Sequence, residues 1–329
     1  MIITRTPLRI SLGGGGSDLP SYYRRHGGMV IAAAINKYIY IAINSTFTND
    51  YFIKYSEHER VPDVAHIRHP IVREALRRHP SGPVEIVSVA DVPAGTGLGS
   101  SGSFTVGLLR ALYAFRREHV TAGELAEEAC DIEITQLNRP VGKQDQYIGA
   151  YGGLTCFEFL ADGRVHVRPL QIPRETLRDL EERLLLFFTG YSRSADDLLA
   201  DQRTRSEQGD AAMLSNLDAV VRIGYRVREA LEGGNAAAFA DLMHEHWEAK
   251  KVRLASASGA QNEAIARWYD IGRAHGARGG KLVGAGGGGF LMFYADDPAS
   301  LRRSMAEQGL REVPFHFDHD GTTLTARDS

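Results

Sequence analysis

The sequence predicts an α+β protein whose first half is rich in strands and whose second half is rich in helices. Three observations carry this. Short alternating or apolar runs dominate residues 4–169. Helical periodicities fill most of residues 195–275. Between an apolar strand pattern and a helical one lies a segment dense in glycine and hydroxyls, from Pro93 to Ser103. The order is not a strict βαβ alternation. A boundary near residue 180 divides the chain into regions 1–180 and 181–329, two domains of ordinary size.

Strand patterns fall at 4–12, 30–35, 38–47, 51–55, 84–90, 154–159 and 165–169. Two helices follow the glycine segment, at 103–118 and 122–138. Thr121 with Glu124 three residues on is a capping box for the second of them. The second half opens with an unbroken apolar strand at 184–189. Helices are expected at 195–207, 211–231, 236–256, 261–275 and 298–308, and strands at 281–283, 289–294 and 313–317.

Composition narrows the function classes. A hydrophobic content of 43% and a charged content of 24% are those of a globular chain. A net charge of −3 makes no electrostatic case for nucleic acid or an anionic membrane. The two cysteines, Cys130 and Cys156, lack CxxC spacing, which argues against structural zinc and a disulfide scaffold. The first residues lack a signal-peptide core, and no apolar run approaches the ~20 residues that span a bilayer. The expectation is a cytoplasmic protein with small-molecule partners. The pattern carries no signal of oligomeric state.

The glycine segment is the sharpest functional signal. Glycine lets backbone N–H groups approach an anion closely, and the helix that follows adds positive potential at its N-terminus. A Walker A loop needs a lysine after its glycines, and none is present. A dinucleotide fingerprint is formally met by Gly97, Gly99 and Gly102. It needs an acidic residue about 20 positions on, at the end of a strand. Arg116, Arg117, Glu118 and His119 stand there as a polar helix end. A tight turn needs one or two glycines, not four with three serines.

Two carboxylates lie downstream. Glu133 shares a helix face with Ala126, Ala129, Cys130 and Leu137, while Glu124, Glu127, Glu128 and Asp131 take the other face. A carboxylate on a buried stripe needs a partner. Periodicity alone leaves two readings open, a salt bridge to arginine and a cation ligand. Magnesium takes one or two carboxylates plus substrate phosphates, which suits a neighbouring phosphate loop. Asp145 follows Pro140, where the helix stops, and is expected on a loop. Of Ser100 and Ser101, N-capping explains one. Near the N-terminus, Leu8, Ile10 and Leu12 alternate with Arg9 and Ser11, which turns Arg9 off the core face. Gly13, Gly14, Gly15, Gly16, Ser17 and Asp18 follow.

These segments resemble the three motifs of the GHMP kinases, the superfamily of galactokinase, homoserine kinase and mevalonate kinase. The resemblance implies a two-domain fold, with a strand-rich ATP-binding domain and a ferredoxin-like second domain. It implies ATP and Mg²⁺. Pro93, Gly95, Thr96, Gly97, Leu98, Gly99, Ser100, Ser101 and Gly102 would hold ATP. Asp145, in Gly-x-x-Asp-Gln, matches the catalytic aspartate of galactokinase. Glu133, twelve positions earlier, and Ser101 match the metal-contacting residues. Arg9 matches the basic residue beside the transferred phosphoryl group. Gly15, Gly16, Ser17 and Asp18 fall in the acceptor motif. Residues 279–290, including Gly287, resemble the third motif, which closes the site.

The Gly-Glu-His-Thr-Asp of galactokinase is absent here. Arg5–Ser11, Gly14–Tyr23, Thr189–Ser194 and His246–Lys251 look most like the kinases of D-glycero-D-manno-heptose 7-phosphate within that superfamily. That similarity implies transfer to the anomeric C1 hydroxyl for nucleotide-activated heptose synthesis, and a cationic pocket for the existing phosphate. Lys143, Arg193, Lys250 and Lys251 are candidates, Arg193 first because guanidinium grips phosphate bidentately. The alternatives are an L-fucokinase-like sugar-1-kinase, a catalytically silent sugar or ATP sensor on the same fold and, more remotely, a dinucleotide oxidoreductase.

Overall fold

The computed structural model describes residues 1–191, 196–254, 260–284, 286 and 288–327. β1 (Ile2–Gly13) lies antiparallel to β2 (Gly28–Ser45). β2 joins the two expected strands at 30–35 and 38–47. Its ladder shifts register between Pro7 and Leu8, opposite Asn36 and Lys37, so the break in the apolar pattern is a bulge and not a turn. One half of β2 pairs with β5 (Val84–Ala90) and the other with β6 (Leu154–Phe159). β3 (Tyr51–Lys54) runs parallel to β5 and carries β4 (His58–Val61), and β7 (Val165–Pro169) flanks β6. The eighth strand is β12 (Thr323–Arg327), which returns from the far end of the chain to pair with β1.

The helices α3 (Ser100–Phe115), α4 (Ala122–Cys130) and α5 (Gln144–Tyr151) pack together, and α3 and α5 lie on this sheet. Leu8, Ile10 and Leu12 are fully buried beneath them. Each such side chain contributes ~1.5–3 kcal/mol. Gly107 of α3 sits so close to β1 that a Cβ there would meet Thr6 Oγ1 at 2.6 Å. Among the described residues four short helices have no counterpart in the periodicity: α1 (Pro20–His26), α2 (Pro70–Arg78), α5 and α6 (Arg174–Arg183). The first two begin on proline, a start signal that their length of two turns or so leaves unsupported.

The second sheet contains β8 (Leu184–Phe188), β9 (Ala277–Val283), β10 (Phe290–Ala295) and β11 (Arg311–Glu312), in the order β11-β8-β10-β9. Numbered within the sheet this is 4-1-3-2, the ferredoxin-like order expected. Of the strand expected at 313–317 only an isolated bridge from Phe317 to Ile35 forms, and β11 ends just before it at Glu312. α7 (Asp196–Glu207), α8 (Ala211–Glu232), α9 (Ala236–Leu254), α10 (Ala260–Ala274) and α11 (Pro298–Glu307) complete this half. Residues 195, 255 and 256 of the expected helices lie outside the described residues.

One hydrophobic core runs through both halves, from Ile10 and Leu109 to Phe239 and Met292. A smaller one, with Trp247, Tyr269 and Phe293, lies behind the second sheet. α8 seats the second half on the end of β1: a Cβ on Gly224 would lie 3.3 Å from the backbone N of Gly14. Among the described residues no helix is long and apolar enough to cross a membrane.

Candidate active site

The glycine segment is tied to the strand that precedes it by almost 90 residues. The N–H of Arg9 donates to Leu98 O at 2.9 Å. Gly99, with φ of 80°, ends the segment as the N-cap of α3. Left-handed backbone favours glycine, and here space demands it too: a Cβ would lie 3.1 Å from Asp145 Cγ and 3.2 Å from Arg9 Cγ. Neither serine caps the helix. Ser100 Oγ is buried with no hydrogen-bond partner, and Ser101 Oγ bonds to Glu133. The start of α3 therefore presents uncapped N–H groups and an unsatisfied hydroxyl, the equipment of an anion site.

A cleft of about 930 Å³ opens in front of it, lined from both halves of the molecule. Gly95, Gly97, Gly99, Ser100 and Ser101 line it. Pro93, Thr96, Leu98 and Gly102 do not: Thr96 turns inward to Pro93 O at 2.9 Å, Leu98 is buried, and Gly102 packs on Asp145. Gly15, Gly16 and Asp18 line the opposite side. Ser17 lies under its own loop instead, donating to Gly14 O at 2.8 Å and accepting from the N–H of Met29 at 3.0 Å.

Asp145 is not on a loop. It occupies the first turn of α5, which starts four residues after Pro140 because the break there is brief. Its Oδ1 accepts from Arg9 Nε at 2.8 Å and Gln144 Nε2 at 3.1 Å, and Arg9 Nη2 lies 2.7 Å away. Arg9 Nη1 donates to Gly97 O at 2.6 Å. The guanidinium thus bridges the glycine segment and the carboxylate. Asp145 Oδ2 accepts no hydrogen bond among the described residues. Gly102 lets α3 and α5 meet, since a Cβ there would lie 2.6 Å from Asp145 Cβ and 2.8 Å from Gln146 N. Gly102→Ala is expected to displace Asp145 and, on the reading that this carboxylate takes part in the reaction, to lower turnover about tenfold or more. Steady-state kinetics beside a thermal melt would check this, the melt separating displacement from unfolding.

Asp18 is buried and receives the N–H groups of Gly16 and Gln144, each at 3.1 Å. Burial raises its carboxyl above the ordinary range, against the pull of those N–H groups. Gly142 must lack a side chain, because a Cβ would fall 2.0 Å from Asp18 Oδ2.

Glu133 is fully buried, as its position on the stripe implies. The expected α-helix ends at Cys130, and residues Asp131–Gln136 form a π-helical turn, a feature frequent at functional sites. The carboxylate accepts from Thr105 Oγ1 at 3.0 Å, Gln146 Nε2 at 2.9 Å and Arg139 Nη1 at 2.7 Å, and from Ser101 Oγ. Burial raises its pKa, and the hydroxyl of Ser101 and the charge of Arg139 oppose the rise. Arg139 Nη1 touches both Ser101 Oγ and Glu133 Oε2 and reaches Asp196 through Nη2 at 3.2 Å. Among the described residues no cluster of three or more His, Cys, Asp or Glu could hold a metal.

Lys143 does not reach the cleft. Its ammonium donates to Glu127 at 2.8 Å and to Gly163 O at 2.9 Å, beneath the sheet end. Arg193 and Gly287 lie outside the described residues. Lys250 lines the cleft, while Lys251 pairs with Glu248. Gly284 and Gly289 of the third motif press against Gly97 and Thr96, backbone on backbone.

Sequence reasoning missed the aromatic end of the cleft. His69 stacks on Phe104 at 4.9 Å and meets the edge of Tyr55 at 4.7 Å, with Ile71 and Val92 beside them. The only signal was His69–Pro70, a helix start. His69 Nδ1 accepts the N–H of Val72 and caps α2. Burial holds this histidine below its ordinary value of 6.5. As pH falls through 6.5 the unfolded chain therefore takes the proton first, and the stability this residue contributes at higher pH is lost. Melting temperature should fall more steeply between about pH 7 and pH 5 in the wild type than in His69→Gln. Parallel slopes would contradict this.

Comparison with known proteins adds a family. Residues 66–153 match the GHMP kinases N terminal domain and residues 227–310 the GHMP kinases C terminal domain. The D-glycero-alpha-D-manno-heptose 7-phosphate kinase of Campylobacter jejuni is 32% identical, over 97% of each chain. The L-fucokinase/L-fucose-1-P guanylyltransferase of Bacteroides fragilis is 26% identical over 91% of this chain and 35% of its own length. The crystal structure of a D-glycero-D-manno-heptose 1-phosphate kinase from Bacteroides thetaiotaomicron covers all of both chains with a TM-score of 0.81 at 26% identity.

Proposed function

The chain belongs to the GHMP kinases, and from that premise we propose that it transfers the γ-phosphoryl group of ATP to the anomeric C1 hydroxyl of D-glycero-D-manno-heptose 7-phosphate. The reading is carried by Asp145, held through Oδ1 by Arg9 with Oδ2 open, beside the unsatisfied Ser100 hydroxyl in one cleft. The heptose specificity draws on the Campylobacter jejuni relative. The location is taken to be the cytoplasm.

The nucleotide base would lie against His69 and Phe104. Its phosphates would meet the N-terminus of α3 and Ser100. The acceptor hydroxyl would be placed between Asp145 and the γ-phosphate, with sugar hydroxyls on Asp18 and the Gly15–Gly16 turn. In the transfer, the C1 oxygen bonds to phosphorus as the bond from phosphorus to the bridging oxygen breaks. The hydroxyl proton passes to Asp145, and ADP leaves. An anomeric hydroxyl is acidic for an alcohol, so a carboxylate can take its proton late. Arg9 would offset charge on the moving phosphoryl group. Positioning and electrostatics supply most of the rate.

The donor set fits magnesium. Glu133 and Ser101 offer hard oxygens in mutual contact, and a guanidinium already sits on both. One carboxylate and one hydroxyl leave the remaining positions to phosphate and water. Bound there, the ion would neutralise charge between the phosphates.

The Bacteroides fragilis relative favours a second reading, in which an unphosphorylated sugar such as L-fucose is the acceptor. Phosphorus NMR of the product from ATP and heptose 7-phosphate tests both. An anomeric phosphate signal beside a retained 7-phosphate is the expected result. Turnover of L-fucose alone would establish the second reading. ATP binding without turnover of any sugar would leave a sensor.

A further inference from the structure

A second cavity, of about 450 Å³, lies between α1 and α7. Its size is within the range of small-molecule sites, ~300–1,000 Å³. Leu19, Arg139 and Val141 line both this cavity and the cleft, so they form the partition between the two. The transfer described above makes no use of the space behind that partition.

The lining is basic in a chain whose net charge is −3. Arg24 and Arg25 come from the last turn of α1, Arg139 from the partition and Arg203 from α7. Glu207 is the one carboxylate among the described lining residues, and Arg203 Nε holds it at 3.0 Å. Arg203 Nη1 also donates to Asn138 Oδ1 at 3.0 Å, which ties α7 to the partition. Arg139 is engaged with Glu133, Ser101 and Asp196. Arg24 and Arg25 are exposed and form no ion pair among the described residues. Ser21 precedes them by three and four positions, so all three share one face of α1. Ser21 Oγ lines the cavity side of that face, buried and without a hydrogen-bond partner.

We infer that this cavity binds a phosphate monoester, whose oxygens are taken by the guanidiniums of Arg24 and Arg25 and by the Ser21 hydroxyl. Guanidinium grips phosphate through paired, charge-assisted hydrogen bonds. A lining of four guanidiniums and one carboxylate suits a dianion better than a singly charged carboxylate ligand. The phosphate can arrive in two ways. It can be the one already on the acceptor, passing the partition at Leu19 and Val141, next to Asp18 and Gly142, and this route rests on the sugar-phosphate reading. It can equally belong to a separate phosphorylated molecule or be free phosphate.

Inorganic phosphate is the probe, titrated calorimetrically into the full-length protein with a non-hydrolysable ATP analogue already bound. Arg25→Met and Ser21→Ala should each weaken phosphate binding about tenfold or more and leave affinity for the analogue unchanged. Ser21→Ala alters no charge, so its loss separates a built site from general positive surface. Its melting temperature should match the wild type's, since the hydroxyl bonds nothing in the protein. Wild-type protein that binds no phosphate, or equal affinity in wild type and both variants, would overturn the site. Repeating the titration with saturating heptose 7-phosphate identifies the source. Displaced phosphate, with KM in the variants raised for heptose 7-phosphate and not for the unphosphorylated heptose, supports the site as the grip on the acceptor. Undiminished phosphate binding with KM unchanged supports it as a site for a separate ligand. A wild type that does not turn over heptose 7-phosphate would remove the sugar-phosphate reading, and the first titration would still decide the cavity.

Discussion

Asparagine in place of Asp145 should lower turnover by about 10²–10⁴-fold, the range for loss of a positioned acid or base. The substitution conserves shape. An amide oxygen can still accept from Arg9 and Gln144, so the clamp that bridges Gly97 and α5 survives. What is lost is the second oxygen as a proton acceptor. ATP binding should persist, because the phosphate site proposed above is the start of α3 with Ser100 and not this carboxylate. The measurement is kcat from coupled ADP release beside a nucleotide titration. Turnover equal to that of the wild type would remove Asp145 from the chemistry, whatever its place in the cleft.

Glu133→Gln carries the second large effect, and two physical readings of it diverge. If Glu133 holds the ion, the variant should lose about tenfold or more of its magnesium-dependent affinity for a non-hydrolysable ATP analogue, with affinity in chelator unchanged. If Glu133 serves only as the counter-charge of Arg139, the variant should lose about 3–5 kcal/mol of stability, the cost of breaking a buried pair. The magnesium dependence would then stay intact. A magnesium titration and a denaturant melt on the same protein separate the two. The burial of Glu133 and its four polar partners make some loss of stability certain in either case. The magnesium slope is therefore the deciding quantity.

The parts of this fold that could be read from the chain are those with long periods. β1, β2 and the paired helices after the glycine segment repeat over enough residues for a pattern to emerge. The start of α3 is different: the pattern offers one of Ser100 and Ser101 as a cap, and neither serves as one. α1, α2 and α5 are too short to show a period, and α5 hides behind Pro140. The chain's local pattern therefore points to a loop at Asp145, and the structure puts it in the first turn of α5. Pairings such as Arg9 with Asp145, 136 residues apart, leave no trace in local spacing. Charge was visible at Lys143, but direction was not. Its neighbour Glu127 claims the ammonium from one turn of a different helix. Ser17 misled for the opposite reason: its hydroxyl serves the loop's own backbone.

The pairing of β12 with β1 sets an order in time. Ile2 and Arg327 are partners across nearly the whole chain, the longest loop the molecule must close. Closing such a loop costs entropy before the contact returns any stability, so it belongs to the late stages of folding. Until then the outer edge of β1 has no neighbour, and β1 is the strand that carries Arg9 and Ser11. In a refolding experiment the circular-dichroism signal of the helices should therefore recover before catalytic activity does. The enzyme would spend an interval fully collapsed yet idle, with the exposed rim of β1 available to stray strands from other chains.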